Sequence, residues 1–356
     1  MKKNKRYASS TDVARLAGVS QSAVSRAFQQ GGSVSEETRQ KVLTAAATLD
    51  YRPSLIPRIM LTHRSNLVAI VIGGLYNPFY ASVLEVFTAR LQQAGNQVLL
   101  VHVDSGYSLD SAIPRLASYR VDAIVSALAI LTQQAADELA KLRVPIVSFN
   151  TSIQNEWVSS VSCDNIDAGR RVADLFIERG ATRFGYMAGP LSSPASEERL
   201  YGYRQRLGER GITGLRTAHG DFRYEGGQHA LAELMSHGEP PDALFCANDL
   251  LAMGAMDSLR KDFGLQVPRD MMVAGFDDIA PAAWSAYDLT TSVQDAPAMV
   301  DAAIAIIAEM TETGGRTSGT RTIPARLVER GSTQRGPTQR KAEPPPARQN
   351  RKATTK

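Results

Sequence analysis

Two groups of residues in this 356-residue chain have types and spacings that could do chemistry. The first lies in "GVSQSAVSRAF", residues 18–28. Val24, Ala27 and Phe28 recur at i, i+3 and i+4 and mark a buried helical stripe. Between them stand Ser20, Gln21, Ser22, Ser25 and Arg26. A solvated helix face is usually rich in Glu and Lys, whereas this one offers short neutral hydrogen-bonding groups and one guanidinium. Gln pairs with adenine, Ser with several bases, and Arg with guanine or phosphate. A helix N-terminus adds its own preference for phosphate. The second group is a series of carboxylates and amides that end β-branched runs: Asp104, Asn150, Asp164, Asn248 with Asp249, and Asp277 with Asp278. In open α/β sheets the ligand crevice lies beyond such strand ends. N-capping of the next helix is the competing reading, and it is at least as strong for Asp104, Asn165, Asp249 and Asp278.

The elements that must hold the first group are three short helices. Ser9 and Asp12 form an acidic capping box ahead of Val13, Leu16 and Ala17, and Gly18 closes that helix. Ser20 caps the second helix, with Val19 and Val24 spaced as a hydrophobic staple. Ser35 caps a third, whose Val42, Ala45, Ala46 and Leu49 share a face. Only Gly18, Val19 and Ser20 separate the first two helices, which is helix-turn-helix spacing. In that motif the second helix enters the major groove, N-terminal residues first.

Charge supports this placement. Residues 1–64 hold 11 Lys/Arg against 4 Asp/Glu, and residues 335–356 hold 7 against 1. The stretch between is acidic, with 22 Lys/Arg and 31 Asp/Glu. Basic ends on an acidic body point to a polyanion as partner, namely double-stranded DNA. Cys163 and Cys246 are the only cysteines, which excludes a disulfide framework and leaves no metal-site spacing. No cofactor is expected. The start "MKKNKRYASSTD" lacks an apolar export segment, and no run of about 20 apolar residues exists for a membrane. A cytoplasmic protein is expected.

The second group rests on alternating strands and helices from Asn66 onward. Expected strands are "LVAIVIGG", "QVLLVHVD", "VDAIVSA", "VPIVSFN", "VSSVSCD", "RFGYMAG", "DALFCAND" and "MMVAGFDD". Continuous apolar runs such as "AIVI" indicate parallel sheets covered on both faces. That many βα units favours two doubly wound lobes over one.

"TDVARLAGVSQSAVSRAF" followed by "VSEETRQKVLTAAATLDYRPS" closely resembles the DNA-binding head of the LacI/GalR family of bacterial transcription regulators. The family pattern D-V-A-x-x-A-G-V-S-x-x-T-V-S-R is matched from Asp12 to Arg26, except that Ala23 replaces the usual Thr and removes a hydroxyl suited to phosphate. The specificity pair falls on Gln21 and Ser22. The resemblance runs from about Ser9 to Thr333 through "LYNPFY", "SEERLYGY", "FCANDLLAMGAMDSLR", "VAGFDD" and "LTTSVQD". It implies an all-α helix-turn-helix head at 1–50, a hinge at 51–65, a body of two periplasmic-binding-protein-type lobes at 66–334, and a basic disordered tail at 335–356. It further implies effector contacts at Phe79, Tyr80, Asp164, Arg199, Phe222, Asn248, Asp277 and Gln294. Rings at Phe79, Tyr80, Phe222 and Phe276 would cover a flat or pyranose-like ligand, and the polar groups would pair with its hydroxyls. A carbohydrate or sugar acid is the first effector class and a nucleoside or purine the second.

Within the hinge, "YRPSLIPRIMLTHRSN" carries Pro57 and Met60 where the family has alanine and leucine. Pro57 fits the first turn of a helix, Met60 could wedge into the minor groove, and Arg58 and Arg64 could meet phosphate. "IPARLVERGSTQ", residues 323–334, is expected as a closing strand. The tail has no leucine heptads, so a homodimer is expected rather than a coiled-coil tetramer. Two other classes remain at this stage. An α/β enzyme lacks the usual phosphate-loop, nucleophile-elbow and zinc-helix motifs, and a transport binding protein is opposed by the basic head.

Overall fold

In the computed structural model, the described residues are 8–29, 31–52, 64–103, 116, 118–126, 133–149, 156–236, 238–315 and 319–335. The chain divides into two compact units, Met1–Ser65 and Asn66–Lys356.

The head has three helices: α1 (Ser10–Ala17), α2 (Gln21–Ala27) and α3 (Glu36–Thr48). Their starts follow from the capping residues. The Ser9 N–H donates to Asp12 Oδ2 at 3.0 Å while the Asp12 N–H donates to Ser9 Oγ at 3.3 Å, a complete capping box. Ser20 and Ser35 accept from Ala23 and Thr38 N–H, each at 3.2 Å. Gly18 ends α1 at φ 66°, the left-handed conformation that glycine adopts at least cost. Val13, Val24 and Val42 meet in the core, and Phe28 packs against Tyr51 with ring centroids 5.8 Å apart. Arg39 reaches back from α3 to donate to the Ala27 and Gly32 carbonyls, tying down the end of α2.

The body alternates strands and helices: β1 (Leu67–Ile72), α4 (Pro78–Gln93), β2 (Gln97–His102), β3 (Ala123–Ser126), α5 (Gln133–Ala140), β4 (Ile146–Phe149), β5 (Val158–Cys163), α6 (Asn165–Glu178), β6 (Phe184–Ala188), α7 (Pro194–Glu209), β7 (Leu215–His219), α8 (Tyr224–Met235), β8 (Ala243–Cys246), α9 (Asp249–Lys261), β9 (Met272–Asp277), β10 (Thr290–Val293), α10 (Ala296–Thr313), β11 (Thr320–Ile323) and β12 (Arg326–Val328). They form two six-stranded sheets, β11-β5-β4-β3-β1-β2 and β12-β10-β9-β8-β6-β7. All pairings are parallel except β10 with β12. Each sheet reverses direction of growth at its first strand, between β1 and β3 and between β6 and β8. Such switch points leave a crevice beyond the strand ends.

Three segments pass between the lobes, after β5, after β10 and after β11. The expected strand at 323–334 is strand only at Arg326–Val328; Ile323 ends β11 in the other sheet, and Gly331–Thr333 form a 3-10 turn. Pro324 has no N–H to extend the β11 ladder, so the chain turns there and β12 joins the second sheet. The Asp164 N–H donates to the Ile323 carbonyl at 2.8 Å, pinning the first and third crossings together. β7, β10 and all of β11 before Ile323 are absent from the expected strands. β7 is a half-exposed edge strand, and β10, "TTSV", is buried with hydroxyls rather than apolar branches. Those hydroxyls are satisfied in part by Thr290 donating to the Arg330 carbonyl at 3.0 Å and Thr291 to Asp249 at 2.6 Å.

Two contacts fix the second lobe near the crevice. Helices α6 and α7 touch backbone to backbone: a Cβ on Gly202 would sit 2.0 Å from the Ile166 carbonyl oxygen, and one on Gly169 2.3 Å from that of Arg199. Asp249, fully buried, accepts from Thr291 and from the Ile279 N–H at 2.9 Å, which joins α9 to the segments after β9 and in β10. Burial first, and the neighbouring Asp277 second, hold the Asp249 carboxyl well above the usual carboxylate range.

Gly202→Ala should push α7 off α6 and lower the stability of the body by about 1–3 kcal/mol, read as a reduced thermal midpoint. Asp249 gives a pH signature. Its folded pKa exceeds its unfolded one, so the folded state holds the proton more tightly. Its contribution to stability is therefore intact below the ordinary carboxylate range and is lost as pH rises through the raised folded value. Asp249→Asn should gain stability relative to the parent over that rise and show no gain in acid, as measured by denaturant melts across pH.

Candidate functional site

On α2 the polar and apolar faces separate as the spacing requires. Ser20, Gln21, Ser22, Ser25 and Arg26 are exposed, while Ala23, Val24 and Ala27 are buried. Ala23, where the related pattern has Thr, therefore lies against the head's core and gives its N–H to the cap. Gln21 Nε2 donates to Ser10 Oγ at 2.8 Å, and the Ser20 and Ser22 hydroxyl oxygens lie 2.9 Å apart. Arg26 pairs with no described residue and is exposed. Arg58 and Met60, with Pro57, lie outside the described residues, as do Asp104, Asn150 and the tail from 336.

In the body, the strand ends gather most of the expected effector residues at the crevice. Asp277, at the end of β9, is the centre. Its Oδ2 accepts from Asn77 Nδ2 at 2.9 Å and its Oδ1 from Gln294 Nε2 at 2.7 Å. Asn77 belongs to the first lobe, where it caps α4 by accepting the Phe79 N–H at 3.0 Å. Gln294 sits on the second crossing. One carboxylate thus ties the first lobe, the second lobe and a crossing segment. Burial pushes the Asp277 carboxyl up, opposed by the Arg199 charge and the two amide donors. Its backbone stands at φ 117°, a conformation that costs a non-glycine residue on the order of 1–3 kcal/mol and is concentrated at functional sites.

Arg199 is only 3% exposed and lies with its guanidinium carbon 3.5 Å from the centroid of the Phe276 ring. Its Nε donates to Asn165 Oδ1 at 2.9 Å and its Nη1 to the Ala247 carbonyl. Asn165 in turn donates to Glu198 at 2.8 Å, so it orients Arg199 and does not cap a helix. The cap of α6 is Asp164, which accepts the Asp167 N–H at 3.0 Å, and the cap of α9 is Asn248, which accepts the Leu251 N–H at 3.0 Å. Capping therefore falls one residue earlier than expected at both helices. Asp278 caps nothing and pairs with Arg330 at 2.7 Å. Asn248 also donates to the Phe222 carbonyl at 3.0 Å, holding Phe222 at φ 65°.

Of the four rings, Phe276 is fully buried beneath Arg199 and Phe79 is core at 5% exposure. Tyr80, edge-on to Phe79 at 5.4 Å, and Phe222 keep partial exposure. Phe222 lies so close to Gly189 that a Cβ there would come within 2.2 Å of its ring. Gln294 Oε1 is buried and accepts no hydrogen bond among the described residues. Burial pushes the nearby Cys163 thiol up to about 12, which keeps it protonated and unreactive. Among the described residues no group of His, Cys, Asp and Glu is placed to hold a metal ion, and no helix is long and apolar enough to cross a membrane.

Asn77, Asn165, Tyr76 and Arg223 were not among the expected site residues. The Asn77-Pro78 pair is legible as a helix start. Its bond to a residue 200 positions away is not. Tyr76 adds a second bridge between lobes, its ring 3.9 Å from the Arg223 guanidinium carbon.

Comparison with known proteins assigns both units. Residues 11–54 match the model of bacterial regulatory proteins of the lacI family, and residues 173–333 match a periplasmic binding protein-like domain. The HTH-type transcriptional regulator CelR of Thermobifida fusca is 34% identical over 279 residues, 75% of this chain and 81% of the relative. The structure of the lac repressor dimer bound to operator and the anti-inducer ONPF superposes with a TM-score of 0.83 at 26% identity, covering 92% of this chain and 99% of the other. A complex of the transcriptional regulator CelR with cellobiose superposes with a TM-score of 0.69 at 29% identity, covering 91% and 99%. With its capped helix-turn-helix and its paired parallel-sheet lobes, this chain belongs to the LacI family of bacterial DNA-binding transcriptional regulators and is not an enzyme.

Proposed function

We propose that the protein is a dimeric repressor whose affinity for operator DNA is set by a neutral carbohydrate bound in the crevice. The observation that carries the effector class is the buried polar cluster of Asp277, Arg199 and Gln294 between the lobes. Such a site suits hydroxyls, which both donate and accept, and a site built for hydroxyls rejects analogues that lack them. Phe222 and Tyr80 supply the apolar faces of a sugar ring. With Asp277 and Asp164 against Arg199, the described charges favour a neutral ligand over an acid. The cellobiose bound by CelR is of this class.

Exposed Gln21, Ser22, Ser25 and Arg26 would enter the major groove, with Ser20 and the start of α2 on phosphate. Arg58 would add a phosphate contact and Met60 a minor-groove wedge in the hinge at 51–65. The dimer follows the lac repressor, which is a dimer on its operator. It is supported by the edge strand β2, where Leu100 is 45% exposed beside half-buried Val98, Leu99 and Val101. An apolar edge of this kind calls for cover. Effector binding would alter the angle between lobes and so the spacing of the two heads. A site of action on DNA places the protein in the cytoplasm.

A thermal-shift screen of neutral sugars, sugar acids and nucleosides tests the effector class: a sugar should raise the midpoint of the body, and a rise only with nucleosides would contradict the reading. Asp277→Ala should abolish that shift. Arg26→Ala should weaken operator binding by about 1–3 kcal/mol, measured by fluorescence anisotropy.

A further inference from the structure

Gln21 does not stand free on the recognition face. Its Nε2 donates to Ser10 Oγ at 2.8 Å, across from the first turn of α2 to the first turn of α1. Both ends of this bond are fixed. Ser10 opens α1 directly after its Ser9 cap, within the Ser9–Asp12 capping box, and Gln21 opens α2 directly after its Ser20 cap. Val13 and Val24, buried together in the head's core, hold the two helices in place. Gln21 is exposed, Ser10 is half-buried and the bond between them lies at the surface, so it is not forced by burial.

An unrestrained Gln samples many rotamers, and immobilising it on a base opposes binding. The Ser10 bond occupies one Nε2 hydrogen. It leaves Oε1 and the second Nε2 hydrogen, the acceptor–donor pair that matches the N6 amino group and N7 of adenine. A guanine in the same place presents two acceptors, to which this fixed pair is poorly matched. We propose that Ser10 is a positioning residue for sequence readout: it holds the Gln21 amide ready for adenine and sharpens discrimination at that base pair. This rests on the reading of α2 as the recognition helix.

The test uses the full chain and the tightest duplex that it selects from a random library, together with that site's single base-pair variants. Affinities are read by anisotropy for the parent, Gln21→Ala, Ser10→Ala and Ser10→Thr, with thermal melts to confirm that each head is folded. Gln21→Ala should flatten discrimination at one base pair of each half-site. Ser10→Ala should reduce discrimination at that same pair by roughly two- to tenfold and leave the other positions unchanged. Ser10→Thr, which keeps the hydroxyl, should match the parent. If Ser10→Ala discriminates like the parent, or weakens all duplexes equally as loss of a phosphate contact would, the positioning role is overturned. If Gln21→Ala flattens no position, Gln21 reads no base, and the failure lies in the recognition-helix reading itself.

Discussion

The Asp277 carboxylate is the interaction on which the body depends. It accepts from Asn77 on the first lobe and from Gln294 on a crossing segment, while belonging to a central strand of the second lobe. Removing a charge of this kind from water is costly, and only its hydrogen-bond donors and the nearby Arg199 offset that cost. The backbone at Asp277 is also strained. A buried, strained, charged group that spans two lobes keeps them in register only as long as its donors stay in place. On the proposed function, a ligand offering hydroxyls to the same carboxylate would compete with or supplement those donors, and occupancy of the crevice and the angle between lobes would be one equilibrium.

The surroundings of Asp277 are arranged to keep that equilibrium sharp. Arg199 is clamped by Asn165, by the Ala247 carbonyl and by the Phe276 ring beneath it. Its helix α7 sits on α6 at backbone distance through Gly169 and Gly202. Asn248 spends its amide on the start of α9 and on the Phe222 carbonyl. These side chains act by fixing Arg199 and Phe222. Among the described residues, Gln294 Oε1 is buried beside them with no donor of its own.

Much of the head was legible in the sequence because its signals are local. Ser9, Asp12, Gly18, Ser20 and Ser35 act on residues three or four positions away, and each is used as its spacing implies. The eight apolar runs likewise read as parallel strands, and all but the half-exposed edge strand β2 are buried. The failures come where tertiary context decides. β10 is buried although it reads as polar, because Asp249, Arg330 and Ser332 satisfy the hydroxyls of Thr290 and Thr291 and the Thr290 N–H. Residues 323–334 read as one strand, but Pro324 follows the end of β11 and only Arg326–Val328 pairs, in the other sheet. At the crevice, the strand-end pattern pointed to Asp277 and the family resemblance to Arg199 and Gln294, but the Asn77 bond to Asp277 joins positions 200 apart and carries no local pattern.

The coupling of crevice to DNA is the central claim, and linkage gives it a direct measurement. Operator affinity is determined by anisotropy without sugar and at saturating sugar, and sugar affinity is determined by calorimetry with and without operator. The two ratios should be equal and lie at about 5- to 150-fold. Sugar that binds in the crevice with the same affinity in the presence and absence of operator would contradict the account.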